Sequence, residues 1–197
     1  MLRRRREGKT DYRARLALVK SRTARIVIRK YLRNVHIQLV NYNKDGDATA
    51  VNVFSKSLKK YDWLYHGGSL PSAYLTGFLA GKIALSKGVK EAYLDLGLQT
   101  STKGSVLYAA ALGAKDAGLS VPIGKDILPS QDRVSGKHIA QYAEILKKND
   151  HVKYSKQFSH YSKNNLQAEN MPQKFLETKD KINSEYVESA SKGKSDV

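Results

Sequence analysis

Apolar and polar positions follow a different rhythm in successive stretches of the chain. Thr10 and Asp11 are suited to open a helix, as N-cap and first-turn residue, and behind them Tyr12, Leu16 and Val19 recur at i, i+4 and i+7 as one apolar stripe. Arg13 with Lys20, and Arg15 with Arg22, fall seven apart on the opposite side, which predicts a short helix with an apolar seam and a basic back. From Ala24 the period becomes two. Ala24, Ile26 and Ile28 face one way while Arg25, Val27, Arg29, Tyr31 and Arg33 face the other, as a strand requires. Leu32 to Asn34 reads as a tight connection. Val35, Ile37 and Leu39 then point to the core, with His36, Gln38 and Tyr42 outside beside the arginines. Lys44-Asp45-Gly46-Asp47 is a hairpin turn, and Ala48 to Phe54 is a third strand, completing an antiparallel meander.

Helical and extended segments then alternate. Ser55 to Trp63 carries Lys56, Lys59 and Lys60 on one face of a short basic helix, and Trp63 and Tyr65 are expected to pack. Ser69 as N-cap and Pro71 in the first turn open a helix to Ser86 that is apolar or small nearly all round and therefore covered on several sides. Gly77 and Gly81 within it permit close backbone approach. Glu91 to Leu96 is a fourth strand. A helix follows from Lys103 to Ala117, then a short strand at Leu119 to Ile123, and a helix from Ser135 to Lys148. A strand flanked by helices implies a parallel crossover. The expected fold is therefore α/β, a mixed sheet of meander plus parallel crossover strands packed with helices. Residues 1–22 form a basic arm with a short helix, 23–149 the main domain, and 150–197 an extension, helical around Pro172 to Ala190 and disordered from Ser191 to Val197.

Charge sharpens this picture. Arg3 to Arg33 holds thirteen Lys and Arg against Glu7 and Asp11, a net +11 in a chain of +17. A clustered basic field concentrates polyanions, and its commonest partner is a phosphate backbone, whose condensed counterions are released on binding. An arginine ladder with a tyrosine among it suits phosphate contact together with base stacking. On this alternation, Arg25→Glu with Arg29→Glu would abolish binding without large loss of stability. The chain has no cysteine, which excludes disulfides and thiolate metal sites. No apolar run reaches a membrane span, no apolar segment follows the N-terminal charges as a signal peptide requires, and no internal repeat is present.

Enzyme templates fit poorly. Gly97-Leu98-Gln99-Thr100-Ser101-Thr102-Lys103-Gly104 follows a strand and precedes a helix, as a phosphate-binding loop does. G-x-x-x-x-G-K followed by Ser or Thr, however, needs Gly at Thr102 and Ser or Thr at Gly104. Ser101, Thr102 and Lys103 at a helix start remain suited to an anion. The five histidines are dispersed, His138 reads as structural, and Asp95 as a loop cap. No catalytic residue, metal or cofactor is expected. The competing classes are a general nucleic-acid-binding module and a nucleotide-binding enzyme using the Gly97 to Gly104 loop.

The segments RRRREGKTDYRARLALVK, RIVIRK, PSAYLTGFLAGKIAL, YLDLGLQTSTKGS, AALGAKDAGL and DRVSGKHIAQYA, in this order, resemble the archaeal branch of large-subunit ribosomal protein eighteen, over about Arg3 to Lys148. The resemblance implies a nonenzymatic, structural constituent of the cytoplasmic ribosome. It would bind 5S rRNA and the large rRNA in the central protuberance, beside the 5S-binding ribosomal protein of family five. Carried over residue by residue, the RNA-contact candidates are Arg3, Arg4, Arg5, Arg6, Lys9, Tyr12, Arg13, Arg15, Arg22, Arg25, Arg29, Lys30, His36 and Gln38, with Lys103, Arg133 and His138 from the later segments. After RIVIRK the family continues with Ser-Asn, whereas Tyr31 and Leu32 stand here. Arg33 keeps that turn polar and joins the candidates, and Tyr12 or Tyr31 would stack on unpaired bases. Recognition would rest on shape, loops and 2′-hydroxyls, because A-form RNA hides its base edges in a deep groove.

Overall fold

The computed structural model of the chain describes residues 2–192. Strands β1 (Arg25–Lys30), β2 (Val35–Asn41), β3 (Ala48–Phe54) and β4 (Tyr93–Asp95) form one sheet in the order β3-β2-β1-β4. The meander is antiparallel and β4 lies parallel to β1, so the expected mixed sheet is found. Alternation delivers Ile26, Ile28, Val35, Ile37 and Leu39 fully buried onto one face. A register shift falls between Leu39, which is in the core, and Val40, which is buried on the outer face beside Arg25. The β1–β2 turn is closed by the Tyr31 N–H donating to the Asn34 carbonyl at 2.8 Å. Beyond the paired part of β4, the Gln99 amide takes the place of a strand, accepting from the Lys30 N–H and donating to its carbonyl.

Helices α1 (Arg3–Arg6) and α2 (Tyr12–Lys20) make up the arm. Asp11, not Thr10, is the N-cap of α2, accepting from the Arg13 and Ala14 N–H groups. The expected seam of Tyr12, Leu16 and Val19 is out of phase. Leu16 is exposed, no residue of α2 is buried, and Ala14, Ala17 and Leu18 face the sheet instead. Both stripes fit the helical period, and the helix is held by charge rather than by a core, so the apolar pattern does not decide between them.

Under the opposite face of the sheet lie α3 (Leu70–Ser86) and α4 (Val106–Asp116). A Cβ on Gly77 would stand 1.9 Å from the Ala110 carbonyl oxygen, and one on Gly113 2.0 Å from that of Tyr74, so glycine is what lets these helices touch. A 3₁₀ helix of about two turns at Ser55–Tyr61 leads into this layer. Trp63 and Tyr65 are packed as expected. The indole N–H donates to Ser72 Oγ at 2.7 Å and the Tyr65 hydroxyl to the Gln167 carbonyl. Helix α4 starts three residues later than expected, because Gly104 takes a left-handed conformation (φ +65°) ahead of the N-cap Ser105. The expected strand at Leu119 to Ile123 is reduced to one bridge between Glu91 and Ser120. Gly136, at φ +83°, splits the expected last helix into α5 (Gln131–Ser135) and α6 (Lys137–Asn149).

Helices α7 (His151–Gln157), α8 (Ser159–Lys163) and α9 (Met171–Lys192) complete the described residues. Met171, Phe175 and Ile182 enter the central core beside α3, so this segment is part of the main body's packing. Of the disorder expected from Ser191 onward, residues 191 and 192 belong to α9, and 193–197 lie outside the described residues.

Candidate nucleic-acid interface

Four consecutive arginines on α1 cannot share one face of a helix, and Arg3, Arg4, Arg5 and Arg6 all stand in solvent. The arm is tied locally. Arg4 Nε donates to Thr10 Oγ1 at 2.8 Å, and Glu7 pairs with Arg3 and Lys9. Arg5, Arg6, Arg13 and Arg22 are exposed with no carboxylate partner among the described residues, as are Lys30 and Arg33. These cations remain open to phosphate.

Between α2 and the outer face of the sheet runs a groove of about 740 Å³. Arg4, Lys9, Arg15, Arg25, Arg29 and Gln38 line it, so the fold gathers six of the candidates in one place. Two carboxylates order its floor. Asp47 Oδ2 accepts from Arg15 and from Arg25, each at 2.7 Å. Asp95 accepts from Arg25 at 3.2 Å, from Arg29 at 3.0 Å, and from the Gly97 N–H at 2.9 Å. Arg29 also donates to the carbonyls of Ile28 and Asp95, and a Cβ on Gly97 would stand 2.8 Å from its guanidinium. Three guanidinium groups and two carboxylates thus form a chain from arm to sheet, bearing one excess positive charge.

This network corrects the expected open ladder. Arg25 is only 3% exposed and Arg29 is part-buried, because the arm lies across the face on which they stand. Arg25 therefore braces the interface and does not present a free guanidinium. Sequence reading missed Asp47, which looked like turn chemistry, and understated Asp95, whose loop-capping bond is present but is one of three. Neither pairing had a sequence signal, since the partners lie 22 and 70 residues apart.

The other candidates are scattered. His36 stacks on Phe54 with ring centroids 3.8 Å apart and contacts Asn52. Tyr12 is half-buried, whereas Tyr31 is exposed at the far end of the β1–β2 hairpin. Lys103 stands in solvent ahead of the first turn of α4, which separates it from the geometry of a phosphate-binding loop. Arg133 and His138 lie on α5 and α6, away from the groove; Arg133 is exposed, and His138 Nδ1 is buried without a hydrogen-bond partner. Among the described residues no group of His, Cys, Asp or Glu is arranged to hold a metal ion, and no helix is long and apolar enough to cross a membrane.

A cationic arm folded against a mixed α/β body, with free guanidinium groups outside and paired ones inside, offers the kind of surface that a phosphate backbone meets. Residues 1–90 match the family described as ribosomal large subunit proteins 60S L5 and 50S L18. Over this stretch, a little under half of its length, the chain is similar to that family of large-subunit ribosomal proteins. The matched stretch holds the arm, β1 to β3 and α3, and ends before β4, short of the Lys148 to which the quoted segments run.

Proposed function

We propose that the chain binds 5S rRNA and helps attach it to the large rRNA in the central protuberance, beside the 5S-binding protein of family five, as a structural part and not a catalyst. The observation that carries this reading is the arm, where Arg3, Arg4, Arg5, Arg6 and Arg13 stand exposed beside a groove already lined with guanidinium groups. Phosphates are gripped from the arm, while Arg15, Arg25 and Arg29 hold arm and sheet in register. Lys30, Arg33 and Tyr31 extend the contact along the hairpin, with Tyr31 offering a free ring for stacking. Lys103, Arg133 and His138 lie elsewhere on the surface and suit the large rRNA.

The test is filter binding of 5S rRNA across a salt series, with residues 1–9 deleted. Five cations are lost, so the log–log salt slope should fall by up to about 4, at roughly 0.7 to 0.9 per phosphate contact. Unchanged affinity and slope would remove the arm from the interface. Co-sedimentation with large subunits at high salt separates this reading from a nucleic-acid module acting outside the ribosome.

A further inference from the structure

At the turn end of the β1–β2 hairpin, a second cleft of about 620 Å³ opens between Arg33, the loop before α3, and helices α6 to α8. None of its lining residues is acidic. Three imidazoles, His66, His138 and His160, face it with the Arg33 guanidinium, and one wall is aromatic. Tyr161 stacks on Phe158 with centroids 5.9 Å apart, and Tyr142 leaves half of its surface in solvent. Two features point to a ligand. His138 Nδ1 is buried and unpartnered, and Arg33 has no carboxylate. The Gly68 N–H donates to His66 Nδ1, which fixes the neutral tautomer with a proton on Nε2. Burial first, then the nearby Arg33 guanidinium, hold the His66 pKa below its usual value, so this ring stays neutral and can donate to a base edge.

We propose that this cleft receives one unpaired nucleotide of rRNA, its base against Tyr142 and Tyr161 and its phosphate on Arg33. This deepens the rRNA-binding reading and rests on it. A planar anion matches the wall and the charge together, and single-stranded bases are recognised by stacking plus edge hydrogen bonds. The cleft is of ordinary size for a small ligand, roughly 300 to 1,000 Å³. Arg33 and Arg25 lie at opposite ends of the hairpin, about 20 Å apart at the usual rise per residue, so the cleft would grip the RNA at a second point.

The test uses the full chain and histidine ring signals in NMR, titrated with 5′-AMP and, separately, with ribose 5-phosphate. His36 and His151 lie outside the cleft and serve as internal controls. 5′-AMP should shift His66, His138 and His160 but not the controls, and ribose 5-phosphate should do so far less. Tyr142→Ala, at an exposed position, should weaken 5′-AMP about tenfold, the size expected when a stacking ring is removed. Equal shifts from ribose 5-phosphate, shifts shared with the controls, or displacement of 5′-AMP by an acidic tyrosine-containing peptide would overturn the proposal. 5S rRNA binding measured in parallel separates the two readings. Binding without a response to 5′-AMP overturns the cleft alone, and a cleft that holds 5′-AMP in a chain that ignores 5S rRNA overturns the function proposed above.

Discussion

Arg25 is where stability and RNA binding are most easily confused, and replacing it with Met, an unbranched chain without charge, separates them. The Arg25 side chain is 4% exposed and lies between Asp47, 26% exposed, and Asp95, 12% exposed. Breaking a buried ion pair by removing one partner costs about 3–5 kcal/mol, because the other charge is left uncompensated. Here each carboxylate keeps another partner, Asp47 through Arg15 and Asp95 through Arg29 and the Gly97 N–H. The loss should therefore fall to about 2–3 kcal/mol, which for a domain of this size lowers Tm by about 4–12 °C. Urea melts of the Arg25→Met chain should show a lower midpoint with an unchanged slope. Affinity for 5S rRNA, measured where the variant is still folded, should change less than threefold. By the same reasoning, Arg25→Glu with Arg29→Glu gathers four carboxylates in one place and unfolds the chain, contrary to the expectation from strand alternation alone. A variant that melts like the wild type yet binds 5S rRNA tenfold more weakly would refute the bracing role and make Arg25 a phosphate ligand.

Three further outcomes follow from the packing and the charges. Gly77→Ala drives a methyl into the Ala110 carbonyl, backbone that cannot step aside, and should cost about 3 kcal/mol or more in urea melts, well beyond the ~1 kcal/mol that Ala gains over Gly in a helix. Arg15→Ala frees the arm from Asp47; the pair is part-exposed, so stability should fall by only about 0.5–1 kcal/mol, while α2 amides exchange with solvent several-fold faster, an effect that shrinks with added salt. Burial acts against the Glu169 carboxylate, but hydrogen bonds from backbone, Lys147 and Tyr154 outweigh it and hold its pKa below the usual value. The stability Glu169 supplies is thus complete above the unfolded-state pKa of about 4.3 and is lost as pH falls through the lower folded value, so Glu169→Gln should flatten the acid limb of a plot of urea midpoint against pH.

Strands and the glycine contact were readable because each is decided locally. Ile26, Ile28, Ile37 and Leu39 alternate without a competing phase, and Gly77 with Gly81 in an otherwise apolar helix leaves little but close packing as its explanation. The arm was readable in charge but not in orientation. Its position rests in part on the pair of Arg15 with Asp47, formed by a turn 32 residues downstream. Burial of Arg25 then depends on that position, so parity along β1 could not reveal it. The C-terminal segment had a signal that its polarity masked. Met171, Phe175, Thr178 and Ile182 recur at i, i+4, i+7 and i+11, one face of a helix, and Met171, Thr178 and Ile182 are all but fully buried. The cleft beside Arg33 was hardest to see, since its histidines come from three segments that only the packed helices bring together.

Placing carboxylates inside a basic field has a consequence for selectivity. If Arg15, Arg25 and Arg29 were free, every polyanion would meet three more cations, and affinity would rise for all of them alike. Asp47 and Asp95 occupy those groups, leaving for general attraction the outer set on the arm, which stands in solvent. A partner that also fits the groove must match guanidinium positions already fixed by two carboxylates and the Gly97 turn. Discrimination is a difference of affinities, and it grows when wrong partners lose contacts as much as when the right one gains them. On the rRNA-binding reading, the paired arginines contribute little to the total attraction and much to the choice of RNA shape, while Arg3 to Arg6 contribute the reverse.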